Sequence, residues 1–310
     1  MKKIEERLEI GAVVGQEGIA SIAVTIFLPD VSLLPARPVV MFAFPGSGYS
    51  RGYFDLHMPG HSHYSQAEYH CQKGCIFVAV DHLGVGESVV TNPEALRIEQ
   101  VVQANHETVQ AVLKRLASAD VAPGFPRVVK PLCVGAGQSM GGAFVIAMQG
   151  RCRTFDAIAV LGYSVPRIAI PAKDGFVFAE QMPTQDQYRF GFHWDDEPEE
   201  VVRVDFAGGY PIRQVTPAFG SKTRPGEAIR FRIPNVLGED AARIAQPVFL
   251  AFGERDVSLN PHADPASYTT SRDVSLNVIS CMAHMHNFAS TREILWSLLQ
   301  AWVQRLAGDL

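Results

Sequence analysis

The chain has 310 residues, 47% hydrophobic and 19% charged, with a formal net charge of −5. That balance supplies a large core and argues against disorder. The mild acidity gives no electrostatic reason to expect nucleic acid or an anionic membrane as partner. The opening stretch MKKIEERLEIG mixes charges and has no apolar h-region, so it does not read as a secretory signal. No apolar run approaches the roughly 18 residues that span a bilayer. Five cysteines (Cys71, Cys75, Cys133, Cys152 and Cys281) are scattered without CxxC or zinc spacing, which predicts reduced thiols in a cytoplasmic protein.

In chain order, ASIAVTIFLP (20–29) alternates and is β-branched, predicting a half-buried strand. PVVMFAF (38–44) and CIFVAVD (75–81) are continuous apolar runs, as central strands covered on both faces should be, and each ends in a glycine turn. Ile98, Val101, Val102, Val109, Val112, Leu113 and Leu116 fall mostly at helical spacing. PLCVGAG (131–137) is a further strand and leads through Ser139 into a small-residue helix, MGGAFVIAMQG. DAIAVLGY (156–163), PVFLAFG (247–253) and DVSLNVIS (273–280) read as strands, and the chain closes on a helix holding Leu295, Leu299 and Trp302. This strand–turn–helix repetition predicts a mostly parallel α/β sheet with helices on both faces. Residues 164–245 break the beat with prolines and aromatics. Too long for a structureless loop, they read as a cap inserted into a core of 1–163 and 246–310.

The chemistry centres on GAGQSMGG (135–142). G-Q-S-M-G matches a G-x-S-x-G elbow, in which a serine on a tight strand-to-helix turn projects its hydroxyl. Gly137 and Gly141 provide the room that turn requires, and the Met140 N–H at the helix start is placed to bind an oxyanion. A serine needs a base, and the base an orienting group. Asp256, just past the carboxyl end of the 247–253 strand, is the candidate acid, with Glu254 its nearest competitor. VISCMAHMHNF, after the last strand, offers His284 and His286 as bases.

The order Ser, Asp, His and the elbow resemble the α/β-hydrolase fold superfamily of serine esterases and lipases, over nearly the whole chain except the cap. Under that resemblance VISCMAH aligns with the common wording VLPGAGH, which favours His284 as base and leaves His286 beside it. FPGSGYSRGYFD resembles the oxyanion loop, with Pro45-Gly46 in place of His-Gly, which implies a second donor at Ser47 or Gly46. VDHLGVGES resembles the family's D-x-x-G-x-G-x-S segment, where Asp81 and Ser88 shape turns. Serine at 139 argues against the halogen- and epoxide-cleaving branches, which carry aspartate there.

The function expected is hydrolysis of a carboxylic ester through an acyl-enzyme, with no cofactor and no metal. A lactone, thioester or ketone carbon–carbon bond could be cleaved by the same machinery, and a non-catalytic receptor can keep the triad. The expected partner is a small, mostly apolar, ester-like molecule, with self-association left open. Cap aromatics such as Phe190 and Trp194 are candidates to line its pocket. The histidines of HMPGHSHYSQAEYH (57–70) lack the carboxylate spacing of a hydrolytic metal site and read as loop and helix-surface residues. WDDEPEE (194–200) reads as the solvated start of a cap helix.

Overall fold

The computed structural model describes residues 1–13, 16–178, 180–210 and 213–308. Its strands are β1 (Lys2–Ala12), β2 (Ile19–Leu28), β3 (Val39–Phe44), β4 (Ile76–Val80), β5 (Leu132–Gln138), β6 (Ala157–Leu161), β7 (Ile170–Ala172), β8 (Gly175–Val177), β9 (Val248–Arg255) and β10 (Val274–Ala283). Its helices are α1 (Gln66–Cys71), α2 (Ile98–Ser118), α3 (Met140–Cys152), α4 (Gln185–Phe192), α5 (Glu199–Phe206), α6 (Gly238–Ala242) and α7 (Arg292–Ala307). Eight strands form one sheet in the order β1-β2-β4-β3-β5-β6-β9-β10. The β1–β2 and β2–β4 pairs are antiparallel and the others parallel, so the sheet is mostly parallel, as the sequence predicts.

Every residue of β3, β4, β5 and β6 is buried, which explains why their sequences are unbroken apolar runs. Alternate side chains feed two cores. One packs Val40, Phe42, Val78 and Val80 under α2 and α3; the other packs Met41, Ala43, Phe77 and Ala79 under α1 and α7. β1 is an addition to the expected strands. Its Ile4, Leu8 and Ile10 turn half inward, but Glu6 shares that face and pairs with Arg115 of α2.

The chain between β6 and β9 forms the β7–β8 hairpin, α4, α5, a 3-10 segment over Gly226–Arg232, and α6. Its last part lies on the core: α6 packs on α3, and Asp240 pairs with Arg151 at 2.8 Å. Among the described residues, no helix is long and apolar enough to cross a membrane. No disulfide joins the cysteines among the described residues.

Candidate active site

β5 ends at Gln138 and α3 begins at Met140, so a single residue makes the whole turn between strand and helix. Ser139 has φ 53° and ψ −118°, a region that costs a non-glycine residue about 1–3 kcal/mol and persists only where the surroundings enforce it. They do so by close approach. A Cβ on Gly141 would lie 2.0 Å from the Phe44 carbonyl oxygen, and one on Gly137 would lie 2.2 Å from that of Gly141. Only bare backbone lets β3, β5 and α3 meet here.

His284 Nδ1 lies 2.6 Å from Asp256 Oδ1, and its Nε2 lies 3.0 Å from Ser139 Oγ. A carboxylate only accepts, so Nδ1 carries the proton and Nε2 presents a lone pair to the serine hydroxyl. Asp256 follows β9 directly and is saturated. It accepts the N–H groups of Gly253 (2.9 Å) and Val257 (2.7 Å), and Nε2–H of His286 at 2.7 Å. Burial alone would raise its carboxyl; the charge and hydrogen bond of His284, then those of His286, outweigh burial and hold it far below the ordinary carboxylate range. Both histidines thus reach the same aspartate, and the ring that also meets Ser139 is that of His284. His286 Nδ1 is buried with no partner among the described residues. Glu254 points elsewhere and accepts the Cys281 N–H at 3.0 Å. Cys281, with φ 54°, marks a bulge in β10 between Ile279 and Ala283, a device that re-aims the strand end carrying His284.

Ser47, Ser139 and Met140 line one cavity. The Met140 N–H belongs to the first turn of α3, where no intrahelical acceptor exists. Gly46 stands against the nucleophile: a Cβ there would be 3.2 Å from Ser139 Cβ and 2.4 Å from Gln138 Oε1. The loop holding Ser47 is braced from both sides. His82 Nε2–H donates to the Pro45 carbonyl at 3.0 Å and its Nδ1 accepts from Asn105 at 2.9 Å; burial pushes this imidazole down to about 4, so it stays neutral. Arg213 Nε and Ser221 N–H both donate to the Gly48 carbonyl, at 3.1 and 3.0 Å. Asp81 accepts from the Arg51 N–H and guanidinium, both at 2.6 Å, and Ser88 Oγ donates to the Asp81 carbonyl at 3.0 Å.

The cavity over Ser139 holds about 360 Å³ and is walled by Tyr188, Phe192, Tyr210, Ile170, Tyr163 and Phe231, among others. Phe190 and Trp194 are not part of that wall. They face a second recess, where their rings cover the Arg255 guanidinium at 4.0 and 4.5 Å. For Phe190 the reason is helical phase. Tyr188 and Phe192 are four apart and share one face of α4, whereas Phe190 falls on the other. Two further expectations are corrected. His70 is fully buried, bonded through Nδ1 to Gln300 at 2.8 Å, rather than on a surface. Within WDDEPEE, Glu197 is buried and pairs with His193 Nδ1 at 2.5 Å. No group of three or more His, Cys, Asp or Glu among the described residues could hold a metal ion.

The sequence matches no protein-family model and no curated protein. Solved structures similar to this one include a thermophilic esterase from Thermogutta terrifontis (13% identity, 97% of this chain and 99% of that one, TM-score 0.62). A monoglyceride lipase from Saccharomyces cerevisiae is similar at 14% identity, with 92% of each chain covered and a TM-score of 0.64. An α/β-hydrolase fold protein from Chitinophaga pinensis shares 14% identity over 96% of each chain, with a TM-score of 0.56. The chain therefore has the α/β-hydrolase fold.

Proposed function

We propose that the protein is a serine hydrolase of carboxylic esters. The observation that carries this reading is the continuous chain of hydrogen bonds from Ser139 Oγ through both nitrogens of His284 to Asp256, 3.0 and 2.6 Å long, at the edge of an apolar cavity. Ser139 attacks the carbonyl while His284 Nε2 takes its proton, and Asp256 holds the tautomer and steadies the imidazolium that forms. The N–H groups of Met140 and Ser47 receive the developing oxyanion, each donor worth about 3 kcal/mol in comparable sites. His284 returns the proton to the leaving oxygen, and water activated by the same base then releases the acid. Residues from β6 to β9 act as a cap that selects the substrate. The likeness of the fold to an esterase and a lipase supports hydrolysis, and ester as the bond cleaved.

Labelling with a fluorophosphonate probe, read by peptide mass spectrometry, tests the reading. Covalent modification of Ser139 in native protein is expected. Native protein that leaves Ser139 unlabelled would sink the enzyme reading and favour a receptor on this fold. A panel of esters, lactones, thioesters and β-diketones then fixes the bond, with esters expected to turn over fastest.

A further inference from the structure

Most of the residues lining the Ser139 cavity are apolar or aromatic, yet Arg224 and Arg232 also line it, and no Asp or Glu does. Both arginines are half-buried. Arg232 Nη2 donates to the Gln181 carbonyl at 3.3 Å, and neither arginine pairs with a carboxylate among the described residues. Their neighbour Arg230 behaves differently: it is exposed and pairs with Glu227 at 3.7 Å. Charge in a low-dielectric wall without a counter-charge is unfavourable. Burial raises the phenol of Tyr188, another wall residue, and the charges of Arg232 and Arg224 both pull against that rise.

The segment bearing the arginines is rigidly seated. Glu227 N–H donates to the Leu96 carbonyl at 3.1 Å, and the Glu227 carboxylate accepts from Ile98 N–H at 3.1 Å. Tyr163 Oη donates to the Phe231 carbonyl at 3.0 Å. Gly226 lies so close to Glu94 that a Cβ would fall 1.8 Å from its carbonyl oxygen. Two planar, five-donor cations among the residues of a mostly apolar cavity suit a carboxylate. At about 360 Å³ the cavity lies at the small end of ligand pockets, which run from about 300 to 1,000 Å³.

We infer that the substrate is a small ester with an apolar body and a carboxylate remote from the scissile bond, and that Arg224 and Arg232 bind that carboxylate. This specificity rests on the hydrolase reading above.

The experiment compares 4-nitrophenyl hydrogen glutarate with the neutral 4-nitrophenyl pentanoate on the native protein and on Arg224→Gln and Arg232→Gln. The native protein is expected to favour the anionic ester by about tenfold or more in kcat/KM, the scale of a charge-assisted contact. Each substitution should remove about tenfold of that value, mainly through KM, while the neutral ester stays within about twofold. Equal or better use of the neutral ester by native protein overturns the inference and leaves the hydrolase reading standing. So do substitutions that slow both esters alike. If neither ester is cleaved and Ser139 resists the fluorophosphonate, the hydrolase reading fails instead. Calorimetric titration with monomethyl glutarate then tests the anion site alone: binding weakened in both variants supports it, and absent or unchanged binding refutes it.

Discussion

Asp256 and Asp205 are both buried aspartates that accept a hydrogen bond from a histidine, yet their surroundings give the two histidines opposite characters. His193 places Nε2 2.9 Å from Asp205 and Nδ1 2.5 Å from Glu197. With a carboxylate on each nitrogen both must carry protons, so the ring is an imidazolium with no lone pair to offer. Burial would depress it, but Glu197 and Asp205 prevail and raise it to about 9. Asp205 completes the cluster by accepting from Arg213 Nη2 at 2.9 Å and Tyr49 Oη at 2.8 Å. Two cations thus balance two anions, and the balance fastens α5 to the loop of Ser47. His284 has one carboxylate and one hydroxyl as neighbours, and so keeps an acceptor nitrogen. What separates this structural ion cluster from the proposed proton-transfer site is the group on the second nitrogen.

The contrast breaks most decisively at the bases. Ser139→Ala and His284→Ala should each lower ester turnover by about 10⁴-fold or more, and His286→Ala by no more than about tenfold, because Asp256 keeps its bond to His284. Steady-state rates decide, and the reverse ranking of the two histidines would exchange their roles. Asp205→Asn should destabilise the fold by about 3–5 kcal/mol in urea unfolding, since it leaves two buried cations with a single anion. A loss below about 1 kcal/mol would mean that the cluster is not a closed ionic unit. The pH dependence sharpens the same point. The folded value of His193, about 9, lies above the ordinary 6.5; its stabilisation is complete below pH 6.5 and is lost as pH rises through 9. Stability should fall across that window, and His193→Gln should flatten the slope. Smallest of all, Trp194→Ala should leave KM within about twofold, because that ring covers Arg255 rather than the substrate cavity; a larger KM change would return it to the pocket wall.

The central strands and the elbow were legible because their causes are local: full burial demands unbroken apolar runs, and a strained serine demands glycine two residues to either side. Gly135 was not, because its reason lies across the fold. The Phe155 ring stands where its Cβ would go, 2.5 Å away. β1 escaped notice because Glu6 occupies an inward position and interrupts the alternation, its charge met by an arginine 109 residues away. The residues alone left both histidines open, with only the family resemblance favouring His284, because both reach Asp256 and the sequence does not orient rings. The cavity wall was misread at Phe190 and Trp194, although the Tyr188–Phe192 spacing carried the signal. Nothing local marks Arg224 and Arg232, since their distinction is a lack of counter-charge that appears only when the chain is folded.

The segment between β6 and β9 also bonds to each of the three loops around Ser139. The carbonyls of Gly191 and Phe192 accept the N–H groups of His284 and Met285 at 3.2 and 2.9 Å; Ala169 N–H donates to Val257 at 2.9 Å; the Phe219 carbonyl accepts from Ser50 at 2.9 Å. A segment tied in this way cannot swing aside without undoing the loops it would uncover. Under the proposed function, these bonds predict substrate entry without a lid opening, and kinetics like those of an enzyme for dissolved monomers. Rates should saturate hyperbolically with ester concentration, with neither a lag nor a jump where the substrate begins to form micelles.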